Sequence, residues 1–144
     1  MELTRYQNIN QQVPISGQNL VPYLLSLSEY IQNSGIKIMP YPKVVISNST
    51  EYANDPFGKT AYYNPMNSSV VLYVAGRHIK DVLRSYAHEL IHHNQNISGM
   101  FEGSHIDSLK DPLYSQHDKH LRKMEADAYV RGNLVFRDWT EGFK

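Results

Sequence analysis

His88-Glu89-Leu90-Ile91-His92 sets two imidazoles four residues apart, with a carboxylate directly after the first. On a helix, four residues make little more than one turn, so both histidines project from one face and can share a metal ion. Glu89 is turned about 100° from His88. It is badly placed to ligate the same ion, but well placed to take a proton from a water held there. Neutral imidazoles suit Zn2+, and two of them leave room for one more protein ligand and an open water position. With seven His and seven Glu in 144 residues, a chance match at three fixed positions is expected about 0.016 times. A metal site is therefore the expectation. His93 points away from His88 on the helical wheel and is expected beside the ligands or at the surface, and His78 is expected as a helix cap or a surface residue.

The third ligand has to come from elsewhere in the chain. No histidine follows at the short, glycine-containing spacing that would extend the motif on its C-terminal side, and His105 lies too far on. Glu125, in Met124-Glu125-Ala126-Asp127-Ala128-Tyr129, can complete a His2Glu set if its helix packs beside the motif helix. Ala128 one turn on and Gly132 two turns on keep that face thin. Asp127 is the alternative ligand. It stands about 200° round the helix from Glu125, so the two cannot both bind the ion. If a water held at such a site attacks a carbonyl, the oxyanion that forms needs a further donor. His105, Tyr114, His117, His120 and Tyr129 qualify by chemistry, with His117 and Tyr114 favoured because they end a long polar connection next to Glu125.

Composition narrows the other possibilities. The chain has no cysteine, which removes disulfides, Cys-ligated zinc, iron–sulfur clusters and thiol nucleophiles at once. Fourteen Lys+Arg balance fourteen Asp+Glu, so no basic excess advertises nucleic acid or an anionic membrane as partner. With 41% hydrophobic residues, one folded domain with a real core is expected. No apolar run approaches a membrane span, and the polar N-terminus lacks the pattern of a secretory signal. A cytoplasmic protein is expected, in the host cytoplasm if it is virus-encoded, with a monomer as the default state.

The elements that must position these groups follow from periodicity. Residues 1–17 form a Gln/Asn-rich lead-in to a domain over 18–144. Leu20, Tyr23, Leu24, Leu27, Tyr30 and Ile31 fall at helical spacing over 18–34, with Gly35 as a stop. Ile36 to Met39 and Val44 to Ile46 carry strand vocabulary. Lys59 to Tyr63 and Ser69 to Val74 flank Asn64-Pro65-Met66-Asn67-Ser68 and read as a hairpin, its second strand central and its first at an edge. Ile79, Val82, Leu83, Tyr86, Leu90 and Ile91 form one stripe of a helix over 78–96 that contains the motif. After a long connection over 97–117, Leu121, Met124, Ala128, Val135 and Trp139 mark a last helix over 118–139.

At these residues the chain resembles the gluzincin metallopeptidases, in which H-E-x-x-H on one helix is joined by a Glu from a later helix, often within E-x-x-A. Glu125 and Ala128 match that pattern, and Gly58 to Tyr63 followed by Val70 to Val74 is similar to the edge strand and apolar strand that precede the motif helix. The order of elements is similar to that of the small single-domain minigluzincins. The resemblance implies an α+β, zincin-like single domain: an N-terminal helix, a small twisted and mostly antiparallel sheet, the motif helix and a C-terminal glutamate helix. It also implies a zinc-dependent peptidase, with His88, His92 and Glu125 on the metal and Glu89 as general base. Position 129 is Tyr where related proteins often carry Asn or Asp, so a carboxylate supporting a metal-bound histidine is expected from Asp81 or Asp127. A protein or peptide substrate would add as an extra strand along Ala61, Tyr62 and Tyr63, with Phe57, Tyr62 and Tyr63 available for a side-chain subsite. The competing expectation is a metal-binding module of the same fold that binds a partner without cutting it.

Overall fold

The computed structural model describes residues 17–49, 60–101 and 119–143. Helix α1 (Gly17–Asn33) buries Leu20, Tyr23, Leu24, Leu27 and Ile31 along one stripe, while Tyr30 faces outward. It ends where the Ser34 amide donates to Tyr30 O and Gly35 turns to φ +101°, a conformation that costs glycine little. The strand expected over 36–39 does not form. There the Gln32 side-chain oxygen accepts from the amides of Ile38 (2.7 Å) and Met39 (3.1 Å), groups that a neighbouring strand would otherwise have bonded.

Strands β1 (Lys43–Ser47), β2 (Ala61–Asn64) and β3 (Ser69–Tyr73) form one sheet in the order β1-β3-β2. β2 and β3 are the expected hairpin, antiparallel with Tyr62 opposite Val71, β3 central and β2 at the edge. The expectation of a mostly antiparallel sheet is corrected by β1, which runs parallel to β3 with Val45 opposite Val71. The sheet is mixed. Strand vocabulary is the same for either direction; β2 runs opposite to β1, and the hairpin then leaves β3 pointing the same way as β1. Val70, Leu72 and Val74 are buried among the helices, whereas Val71 and Tyr73 on the alternate side are half-buried.

Helix α2 (Ile79–Ile97) starts at His78, whose Nδ1 accepts from the Lys80 amide at 3.0 Å, the cap anticipated for this residue. All six residues of its expected stripe are buried. Helix α3 (Lys119–Glu141) buries Leu121, Met124, Ala128, Val135 and Trp139 as expected, and also Phe136 and Gly132. A Cβ at position 132 would lie 3.0 Å from the His88 Cα and 3.2 Å from its nitrogen, so glycine is what lets α3 press against α2 at the first histidine. Two polar links fasten α1 to the other helices. Ser28 Oγ donates to Leu24 O, so the buried Tyr86 hydroxyl donates in turn to Ser28 Oγ at 2.8 Å, and Trp139 Nε1 donates to Ser26 Oγ at 3.1 Å.

The result is a small α+β domain with three helices and a three-stranded mixed sheet among the described residues. Within them no helix is long and apolar enough to cross a membrane. The lead-in apart from Gly17, most of the polar loop before β2 including Phe57, and most of the connection before α3 including His105, Tyr114 and His117 lie outside the described residues.

Candidate metal centre

The helical phase that puts His88 and His92 on one face sets their rings 5.0 Å apart at 76°. The close seam at Gly132 then carries Glu125, two turns earlier on α3, between them. Its Oε1 lies 2.8 Å from His88 Nε2 and its Oε2 lies 3.0 Å from His92 Nε2. The three donor atoms fall within 4.8 Å of one another, and His88, His92 and Glu125 make the one such group of three among the described residues. Around a tetrahedral zinc with bonds of about 2.0–2.1 Å, ligand atoms stand about 3.3 Å apart. Two imidazole nitrogens and a carboxylate oxygen gathered this closely are a donor set that could hold a metal ion, with small adjustments of the side chains to open the contacts to ligand spacing.

Electrostatics follow from the enclosure. Burial pushes the Glu89 carboxyl upward, against the opposing pull of His92 and His88. Burial would also raise Glu125, but the hydrogen bonds and charges of His88 and His92 overcome it and hold the carboxyl well below the usual carboxylate range. For His92, burial acts to lower the pKa; the Glu125 hydrogen bond and the Glu89 and Glu125 charges outweigh it, and the net direction is upward. The Glu125 carboxylate thus stays ionised beside two imidazoles, a setting that favours a cation.

The site opens into a cleft of about 130 Å³ lined by Ala61, Tyr62, Tyr63, His88, Glu89, His92 and Glu125. Glu89 is only 8% exposed and lies in its wall. Every residue anticipated for the metal, the base and the substrate strand lines this cleft. Beside it a larger cavity of about 390 Å³ shares Ala61, His88, Glu89 and Glu125 and adds Thr60, Arg84, Ser85, Tyr129 and Asn133. The edge strand is held to the motif helix by polar ties. Arg77 donates to Thr60 O just before β2, to Tyr73 O on β3, and to Asp81 O and Ser85 Oγ on α2. Asn96 donates to Tyr63 Oη at 2.8 Å and Pro65 O at 3.1 Å.

Other anticipated residues have different places. Asp127 is not part of the ligand group; it pairs with Arg131 one turn on, at 2.6 Å. Asp81 is bonded to Arg84 on its own helix. His120 Nε2 donates to Met100 O at 2.7 Å, and Tyr129, 65% exposed, lines the larger cavity. His117 and Tyr114, the favoured oxyanion donors, lie outside the described residues. His93 is fully buried. Its Nε2 is 2.7 Å from Pro40 O, an obligate acceptor, so Nε2 carries the hydrogen and Nδ1 accepts from the Tyr63 hydroxyl at 2.7 Å. Burial lowers the His93 pKa, in keeping with a neutral ring in this role. Tyr63 is accordingly spent on the core, and its ring packs against His93 and Phe101.

Sequence reasoning passed over Gln95, which is fully buried and bonded to His92 Nδ1 at 2.8 Å. Its spacing, three residues after a metal-motif histidine on the same helix, was the available signal. Fold and site together define a small α+β domain with a His2Glu group able to hold a metal ion. The chain matches no protein-family model, no curated protein and no solved structure.

Proposed function

We propose that this protein is a zinc-dependent peptidase of the gluzincin type, with zinc held by His88, His92 and Glu125. The reading is carried by one observation: three metal-ligating groups from two helices converge where a buried glutamate and an edge strand share the same cleft. Zinc, when bound, supplies Lewis-acid polarisation of a carbonyl and makes a water easier to deprotonate.

The chain's own residues supply the rest. Glu89, one residue after His88, stands in the cleft wall to take the proton of the attacking water and to deliver it to the leaving amine. Enclosure of Glu89 keeps bulk water from competing for that proton. The backbone of Ala61 to Asn64 lies at the sheet edge, where an extended peptide can pair with it and so be held across the cleft by main-chain hydrogen bonds. Such recognition is tolerant of sequence. Selectivity falls to the adjoining cavity, whose Thr60, Arg84, Ser85 and Asn133 walls suit a polar side chain.

The experiment is zinc stoichiometry followed by incubation with a peptide library and mass spectrometry. About one zinc per chain and cleavage that is lost in Glu89→Gln, with zinc retained, is the expected result. Equal cleavage by Glu89→Gln would overturn the role of the base. Zinc binding without any cleavage would assign the protein to the non-catalytic metal-binding modules.

A further inference from the structure

Gln95 is an amide with no exposed surface, placed between the two helices that carry the metal-ligating residues. A position of this kind is ordinarily apolar, because an amide buried without partners costs about 1–3 kcal/mol. Here all its hydrogen-bonding capacity in reach is used. Its Nε2 donates to Met124 O and to Asp127 Oδ2, both at 2.9 Å, and its Oε1 faces His92 Nδ1 at 2.8 Å.

The order of these bonds has a direction. Arg131 has no deprotonated form to offer, and its Nε and Nη2 grip Asp127 Oδ1 and Oδ2 at 2.7 and 2.6 Å. Asp127 is thereby fixed as an ionised acceptor. A carboxylate and a backbone carbonyl, side by side, can be met only by the amide nitrogen of Gln95, so its orientation is set. The oxygen must then face His92, and an oxygen there requires the hydrogen on Nδ1. What is left on His92 for a metal is Nε2, the atom that points at Glu125 and whose shared hydrogen a cation would displace.

We infer that Gln95, oriented by Asp127 and Arg131, is a positioning residue that fixes the tautomer and ring orientation of His92 for metal binding. The inference rests on the proposed zinc site. Of the two roles the sequence offered Asp127, ligand or support of a metal-bound histidine, it takes the second, and does so indirectly: Asp127 acts on His92 through an amide relay across the helix seam. Outer partners of this kind are worth about 10- to 100-fold in metal affinity.

The test uses the full chain and zinc alone, with affinity measured by chelator competition and imidazole tautomers by nitrogen-15 NMR. Gln95→Leu, close in volume but without polar atoms, is expected to weaken zinc binding about 10- to 100-fold. It should also remove the fixed Nδ1–H signature of His92 while leaving His88 unaltered. Gln95→Glu places a carboxylate against Asp127 and is expected to weaken zinc as well. Adding Asp127→Asn restores a donor at that contact, and the double variant should bind zinc more tightly than Gln95→Glu alone, by about 3-fold or more, as befits members of one network. This reciprocal rescue decides the matter even if Gln95→Leu fails to fold, since packing alone predicts no rescue. Zinc affinity within twofold of the parent chain in Gln95→Leu, with an unchanged His92 signature, would overturn the inference and leave the peptidase reading standing. Absence of zinc binding in the parent chain would overturn both.

Discussion

Gly132→Ala tests whether the seam between α2 and α3 sets the site. The added methyl would meet His88 Cα at 3.0 Å and His88 N at 3.2 Å, whereas carbon atoms rest comfortably at about 3.5–4.0 Å. Both neighbours are helix backbone and cannot swing away, so α3 must retreat by about 0.5 Å. Alanine gains about 0.8–1.0 kcal/mol in helix propensity over glycine, and overpacking costs about 1–3 kcal/mol. The net expectation is a loss of about 1 kcal/mol, seen as a melting temperature lower by about 3–4 °C. Glu125 lies on the same helix two turns earlier, with its oxygens 2.8 and 3.0 Å from the histidine nitrogens. Metal sites tolerate about 0.2 Å of error in ligand distance, so zinc affinity should fall by about tenfold, equal to about 1.4 kcal/mol. Gly132→Val, with two further methyls, should lose more of both. Thermal melts of the metal-free protein and chelator competition read the two effects separately. A Gly132→Ala variant that is stabilised by its full helix-propensity gain and binds zinc like the parent chain would refute the claim that this contact positions the ligands.

Glu125→Ala should weaken zinc by more than about 100-fold, beyond what outer partners of a ligand are worth, whereas Asp127→Ala should cost about 10-fold. The reverse order, measured by competition, would move the ligand role to Asp127. Burial holds the Tyr86 phenol up at about 12 against an ordinary 10, with its Ser28 hydrogen bond acting the other way. The folded state therefore binds that proton more tightly than the unfolded chain. Its contribution is complete below pH 10 and is lost as the pH rises toward 12, amounting to about 2–3 kcal/mol. Denaturant midpoints of Tyr86→Phe should fall less than those of the parent chain between pH 10 and 12; parallel curves would remove Tyr86 as the cause.

Much of the architecture was legible because its signals are local. The stripes of α1, α2 and α3 emerge from spacings of three and four, and the hairpin from a tyrosine-containing run and a valine-rich run around Pro65 and Asn67. The direction of β1 was not legible, because pairing direction depends on where the chain travels between strands and leaves no mark on Val44-Val45-Ile46. Nor was the fate of residues 36–39, whose amides are taken by Gln32 from a neighbouring helix end. His93 shows the same limit. Its position on the helical wheel indicated correctly that it avoids the ligand group, but its burial against Tyr63 and Pro40 depends on segments 30 and 53 residues away in sequence.

The sequence by itself determined the chemistry available: His88, Glu89 and His92 in helical register, no thiol to compete with them, and a small-residue face behind Glu125. Those features need only the geometry of one helix. Tertiary structure decided which carboxylate meets the histidines, because Glu125 and Asp127 differ only in which way they face once α3 is laid against α2. It also turned Asp127 toward Gln95 and gave that buried amide to His92. Contacts of this kind arise from the approach of two helices at Gly132, a distance that no residue spacing within either helix contains.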